Sequence, residues 1–370
     1  MGVEEGAVRS SVRHEVALAP RQALEGLLRD ALQRPPCLVS FSGGRDSSLV
    51  LAVATHVARR EGLPLPVPYT RCFPSAEASD EREWQELVVR HLGLEDWQVV
   101  RFHNELDLIG PVARRLLRQH GLVFPVLLYV LGETFESAVG GSHLTGEGGD
   151  EVLGSRRATF ARYALTSARW LARPREVKGI FRHVAPRPLR RALLEQEYRL
   201  HPLATWLRPG AAGEVARHLA RQRALEPLGW QKSLSWYLAT KRVSMFKAST
   251  GALASLYDVE HLDPLFDASF VSALGQAGGG LGFASRSDAM AYLVGDLLPA
   301  PVIARTTKAA FNNAYFTATA REFAGTWDGR GVDDDLVDVE ALRAEWRKPV
   351  PSALSFGLLQ AAWLASNAQQ

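Results

Sequence analysis

The chain has 370 residues, 46% of them hydrophobic, and 43 basic against 40 acidic side chains leave a formal net charge of +3. That apolar content can bury a large core, in two lobes by the usual size of a domain, and so small a net charge does not mark a nucleic-acid binder. No apolar run is long enough to span a bilayer and Met1 to Arg13 lacks the apolar centre of a signal peptide, so a cytoplasmic location without membrane contact is expected.

Cys37 and Cys72 form no metal-ligand spacing and no disulfide framework, which suits a reducing compartment. Residues 1–36 read as a helical segment, with a helix from Pro20 to Gln33 that places Leu24, Leu27, Leu28 and Leu32 on one face and stops at Pro35 and Pro36. The next stretch, Cys37 to Leu51, is a short apolar run, a glycine turn carrying hydroxyls and one carboxylate, and the start of a helical pattern from Ser47 to Arg59. Such a strand-to-helix turn is a phosphate cradle. Gly43 and Gly44 reach backbone angles closed to other residues, successive N–H groups point into one concavity, and Ser42, Ser47 and Ser48 offer hydroxyls. Asp46 fits beside a polyphosphate if Mg²⁺ lies between them. The spacing is neither that of a P-loop nor that of a dinucleotide fingerprint.

Leu63 to Cys72 reads as the second strand, and Ser79 as the N-cap of a helix that buries Trp84, Leu87, Val88 and Leu92 and ends at Gly93. Trp97 to Phe102 is a third strand, Pro111 to His120 and Pro125 to Val139 are helices, and Ser142 to Leu144 is a short strand. This alternation predicts an α/β lobe, a parallel sheet covered on both faces, over residues 37–154. The strand runs into Thr145-Gly146-Glu147-Gly148-Gly149-Asp150-Glu151, whose carboxylates belong in the same crevice as Asp46 because ligands of open parallel sheets sit beyond the strand ends. From Ser155 to Gln276 the strand signal disappears, and residues 155–370 read as a mainly helical substrate lobe that contributes Lys308 to the site. The arginines gathered between Arg156 and Arg223 read as solvated helix faces. Ser287 to Leu298, Val339 to Trp346 and Leu354 to Leu364 are further helices, and Asp333 to Asp335 is an acidic turn.

The SGGRDSS loop resembles the pyrophosphate loop of the ATP pyrophosphatase superfamily. With TGEGGDEVLG, a His261-Leu262-Asp263-Pro264 segment and the Arg305-Thr306-Thr307-Lys308 run after Leu298-Pro299, the chain resembles the synthetase domain of asparagine synthetase and its relatives, the β-lactam synthetases and lasso-peptide macrolactam cyclases. Arg45 departs from the family, which generally has an aliphatic residue there. So does the single Gly154 after Val152.

The resemblance implies an AMP-forming amide ligase using ATP and Mg²⁺. In it Ser42, Gly43, Gly44, Ser47 and Ser48 hold the phosphates, Gly146 also binds the nucleotide, and backbone groups of Tyr69, Thr70 and Arg71 read adenine. Asp46 and Asp150 hold the metal, Glu147 is the base, and Lys308 follows the charge of the transition states. Glutamine-using members carry an amidotransferase domain before this one, and fewer than about forty residues precede the loop here, far below the size of a domain. The expected partners are therefore a small-molecule or peptide carboxylate and an amine that is free, carried by the substrate or supplied by another protein, with a peptide-delivering partner protein as a further expectation. Two other readings are a thiolating ATP pyrophosphatase and a partner-binding pseudoenzyme. Cys37 and Cys72 make no cysteine pair for the first, and intact Asp46, Glu147, Asp150 and Lys308 oppose the second.

Overall fold

Helix α1 (Pro20–Leu32) starts on a proline, whose fixed φ suits the first turn, and buries Leu24, Leu28 and Leu32 with Ala23 and Ala31. It leads into β1 (Cys37–Ser40), where Cys37 and Val39 face one core cluster while Leu38 faces another with Tyr69 and Phe135. Apolar side chains on both faces are what a central parallel strand requires. The structure is a computed structural model and describes residues 19–76, 79–167, 174–307, 309 and 311–367.

Helix α2 (Arg45–Glu61) begins two residues earlier than its periodicity predicts, buries nearly every side chain from Ser47 to Ala58, and ends at Gly62, whose φ of 66° gives a left-handed cap. The chain continues through β2 (Val67–Cys72), α3 (Arg82–Leu92), β3 (Gln98–Arg101), α4 (Pro111–His120), α5 (Val130–Ser137) and β4 (Ser142–Leu144). Two expectations shift here. Ser79 does not cap α3, because its hydroxyl donates to the Ala76 carbonyl at 2.6 Å and the helix starts at Arg82. Helix α5 starts at Val130 rather than Pro125.

The sheet is parallel throughout, in the order β3-β2-β1-β4-β5. Its last strand, β5 (Glu260–Leu262), comes from a region whose sequence carries no strand signal, and pairs with β4 in the register Leu144 to Leu262. Between them run α6 (Gly149–Val152), α7 (Arg157–Thr166), α8 (Pro174–Val184), α9 (Arg187–Leu200), α10 (Pro209–Ala224), α11 (Trp230–Leu238) and α12 (Lys241–Ser255). Then α13 (Ala268–Gly278) and α14 (Arg286–Val294) return to pack on α1 and α2. After α15 (Ala300–Ala304) and α16 (Asn312–Tyr315), helices α17 (Ala318–Thr326), α18 (Val339–Trp346) and α19 (Phe356–Asn367) build a second core with α4 and the end of β3.

The arginine-rich stretch is not only a solvated surface. Arg156, Arg157 and Arg190 are buried. Arg157 donates to the carbonyls of His183 and Ala185 at the end of α8 and to that of Glu226 just past α10, at 2.6, 3.1 and 2.6 Å. Arg190 pairs with the Glu226 carboxylate at 3.1 Å, and Arg156 donates to the Ser233 hydroxyl at 2.8 Å. A guanidinium has enough donors to close several helix ends at once, which a lysine does not. Among the described residues no helix is long and apolar enough to cross a membrane.

Candidate active site

β1 and β4 are neighbours, and from β1 the chain proceeds outward through β2 and β3 on one side while β4 and β5 lie on the other. The crevice therefore opens at the reversal point, beyond the C-terminal ends of β1 and β4. Both glycine loops lie there, so close that side chains would not fit. A Cβ on Gly149 would stand 2.1 Å from Cγ of Asp46, and one on Gly146 would stand 2.5 Å from the Ser47 nitrogen.

A cavity of about 600 Å³ fills the crevice, lined by Ser42, Gly44, Ser47 and Gly146 and by Tyr69 and Arg71 of β2. Three other predicted residues do not line it. Gly43, with φ 80°, makes the turn, and a Cβ there would stand 2.9 Å from Cγ of Gln85. Ser48 is wholly buried within the α2 core, its hydroxyl unpaired. The Thr70 hydroxyl donates to the Phe41 carbonyl at 2.8 Å and accepts from the Trp97 indole at 2.9 Å. The loop is pre-formed: the Ser47 hydroxyl donates to the Gly44 carbonyl at 3.1 Å, and the Gly44 N–H donates to the Ser42 hydroxyl at 3.2 Å.

Asp46 and Asp150 come together across the crevice, and one cation joins them. Arg286, in the first turn of α14, donates to both Asp46 oxygens at 2.5 Å and also pairs with Asp150. Burial raises the Asp46 carboxyl above its ordinary value, and Arg286 opposes that shift. Two carboxylates converging on one positive group fit a divalent ion, since Mg²⁺ is usually held by one or two carboxylates with phosphate oxygens and water. Among the described residues no set of three or more His, Cys, Asp or Glu side chains could hold a metal by itself.

Glu147 faces the cavity, and protein surrounds it closely enough that its carboxyl group is pushed up to about 7, first by desolvation and then by the Glu151 and Asp263 carboxylates. The side chain is nonetheless solvent-exposed, at the cavity. No described residue hydrogen-bonds its carboxyl oxygens, while its N–H donates to the Thr145 hydroxyl at 3.1 Å. A carboxyl group titrating near neutrality and free of partners is suited to take a proton from an amine.

Sequence reasoning did not find Arg286, Gln85, Phe73, Phe311 or Tyr315, all of which line the cavity. Phe73 packs edge-on against Phe311 and Tyr315, with ring centroids 6.4 and 5.4 Å away, an aromatic wall of the kind that receives a base. Arg305, matched in sequence only as part of a motif, is buried against Glu81 at 2.5 Å and lies 4.6 Å from the Trp84 ring. It donates to the Gly43 carbonyl at 3.1 Å, so it holds the phosphate loop from behind. Arg45 also lines the cavity, which answers the departure at that position with a guanidinium facing the crevice. Lys308 lies outside the described residues.

A polar chain missed in the sequence runs beneath the site. Ser40 contacts Nε2 of His143 at 2.8 Å, His143 and His261 stack with their Nδ1 atoms 3.0 Å apart, and Nε2 of His261 lies 3.2 Å from Asp263. Asp263 accepts from the Thr145 hydroxyl. Burial and His261 hold His143 well below the ordinary histidine value, so it is neutral. The chain crosses β1, β4 and β5 and ends on the residue that positions the Glu147 backbone.

A parallel sheet whose reversal point holds a serine and glycine phosphate loop, faced by a second glycine loop carrying carboxylates, defines a nucleotide-binding α/β protein of the ATP pyrophosphatase type. The family model described as Asparagine synthase matches residues 21–270, more than half of the chain, and the chain belongs to that family. The family consists of ATP-dependent, AMP-forming ligases, for which Mg²⁺ is generally required. No curated protein matches the chain.

Proposed function

We propose that this protein activates a carboxylate with ATP and joins it to an amine, in peptide macrolactam formation or specialised-metabolite biosynthesis. The observation that carries the reading is the convergence of Asp46, Asp150 and Glu147 on one cavity, with Asp46 and Asp150 sharing one cation position and Glu147 left unpaired. Mg²⁺ held by the two aspartates would offset the charge of the leaving pyrophosphate.

In the first half-reaction a substrate carboxylate oxygen bonds to the α-phosphorus as the bond from that phosphorus to the pyrophosphate oxygen breaks. In the second the amine lone pair attacks the acyl carbon, the bond to AMP breaks, and a proton passes from the amine to the Glu147 carboxylate. Ser42, Ser47 and backbone N–H groups of the loop hold the leaving phosphates. Arg305 keeps that loop in place, and the aromatic wall of Phe73, Phe311 and Tyr315 shields the adenine side. Lys308 enters on its motif alone, as the ammonium that follows developing charge.

Incubating the protein with ATP, Mg²⁺ and candidate acids tests the proposal. AMP and pyrophosphate should appear together, and Asp46→Asn or Asp150→Asn should each abolish most of their release. Formation of ADP, or full turnover in both variants at saturating Mg²⁺, overturns it.

A further inference from the structure

A second cavity, of about 340 Å³, adjoins the nucleotide cavity and shares Leu131, Thr145, Glu147, Glu151 and Tyr315 with it. Its far wall is apolar. Leu127 and Leu128 come from the segment before α5, Tyr237 from α11, Phe246 from α12 and Phe266 from the turn after β5. Phe266 stacks on Tyr237 with centroids 6.3 Å apart and meets Phe246 edge-on at 5.9 Å, so the wall is a packed aromatic surface.

Its charged groups are three carboxylates, Glu147, Glu151 and Asp263, against one guanidinium, Arg242. Asp263 is engaged by Thr145 and His261. Glu147 has no described hydrogen-bond partner, and the Glu151 carboxylate lies near enough to help burial raise the Tyr237 phenol. A carboxylate entering from this side would meet two acids. A cation would be held.

Size separates the possible cations. Ammonium needs about the room of a water molecule, roughly 30 Å³, which is an order of magnitude less than the cavity offers. A pocket of this volume with an apolar wall and a few converging polar groups is built for an organic body. Resting on the amide-ligase reading above, we infer that the nitrogen substrate is a primary amine carried on an apolar body, seated against Leu128, Phe246 and Phe266 with its ammonium group between Glu147 and Glu151. The shared residues put that nitrogen beside the nucleotide cavity, where the acyl group forms.

The experiment measures binding to the full chain at pH 8, where the Glu147 carboxylate is the major form, by titration calorimetry with Mg²⁺ and a non-hydrolysable ATP analogue present. 2-Phenylethylamine, a primary amine that is fully protonated at this pH, should bind saturably. N-Acetyl-2-phenylethylamine, which keeps the body and loses the charge, should bind at least tenfold more weakly, and ammonium chloride at equal concentration should not compete. Glu151→Gln should weaken phenylethylamine several-fold. Equal binding of the acetylated compound, displacement by equimolar ammonium, or no saturable binding of the amine overturns the inference. Because binding is read without turnover, it stands apart from the ligase reading. ADP formation would sink that reading and leave the binding result in place, whereas AMP formation with ammonium and no phenylethylamine binding would sink the inference alone.

Discussion

Arg305→Met tests whether the phosphate loop is held from behind by one buried cation. The side chain is replaced by an apolar one of similar length, and the guanidinium leaves Glu81 behind in a site where Glu81 is only 8% exposed. A buried carboxylate stripped of its partner costs about 3–5 kcal/mol, and the lost contact over Trp84 adds about 1 kcal/mol. Glu81→Gln strands the guanidinium instead and should cost somewhat less, because Arg305 keeps the Gly43 carbonyl and the Thr307 hydroxyl as acceptors. The double variant leaves no unpaired charge, so it should recover most of the stability, and by the costs above the coupling energy is then about 5 kcal/mol or more, larger than the cost of either single change. Urea unfolding followed by tryptophan fluorescence measures all four proteins, with Trp84 itself among the reporters. Nucleotide affinity separates the two roles. The double variant should regain stability but not ATP binding, since Gly43 has lost its donor. Additive effects to within about 0.5 kcal/mol, or wild-type ATP affinity in the double variant, would refute the reasoning.

Glu147→Gln should lower amide formation by about a hundredfold to ten-thousandfold, and in the parent protein the rate should rise with pH through about 7, where the carboxyl group loses its proton; a flat profile between pH 5.5 and 8 would remove Glu147 as base. The folded chain keeps that proton between about 4.5 and 7 while the unfolded chain has released it, so this group subtracts stability as the pH rises across that window. Glu147→Gln should therefore melt higher than the parent above pH 7 and show no advantage below pH 4.5, as differential scanning fluorimetry can follow. Gly149→Ala should abolish ATP binding or folding, because its methyl would stand 2.1 Å from Asp46 Cγ; a crystal structure with both loops unmoved would contradict the close approach. Lys308→Ala should leave ATP affinity within a few-fold and cut AMP production by roughly a hundredfold; equal loss of binding and melting temperature would point to a structural lysine instead.

The elements easiest to read in the sequence were those whose signal is local. β4, α4 and α18 have the bounds their patterns predict, and Gly93 ends α3 in a left-handed cap. β5 was not legible because three residues, Glu-His-Leu, are too few to show an alternation, and their conformation is fixed by pairing with β4. Asp46, Glu147 and Asp150 were found through glycine spacing. Arg286 was not, since it lies 240 residues from Asp46 in an ordinary helix start, Ser-Arg-Ser-Asp, and only tertiary packing brings the two together. The same holds for Ser48, whose place in the motif suggested a phosphate contact while the helical phase of α2 turns it into the core.

The close fit of the two glycine loops limits how this site can change. Gly149 lies against Asp46 and Gly146 against Ser47, with no room for a single added carbon, so neither loop can be varied alone. A new substrate preference would have to come from the walls around them, from Leu131, Tyr237, Phe246 or Arg242, where side chains border open space rather than backbone. A transplant of this chemistry into another parallel sheet would have to carry both loops together, in register across two adjacent strands, as one unit of inheritance.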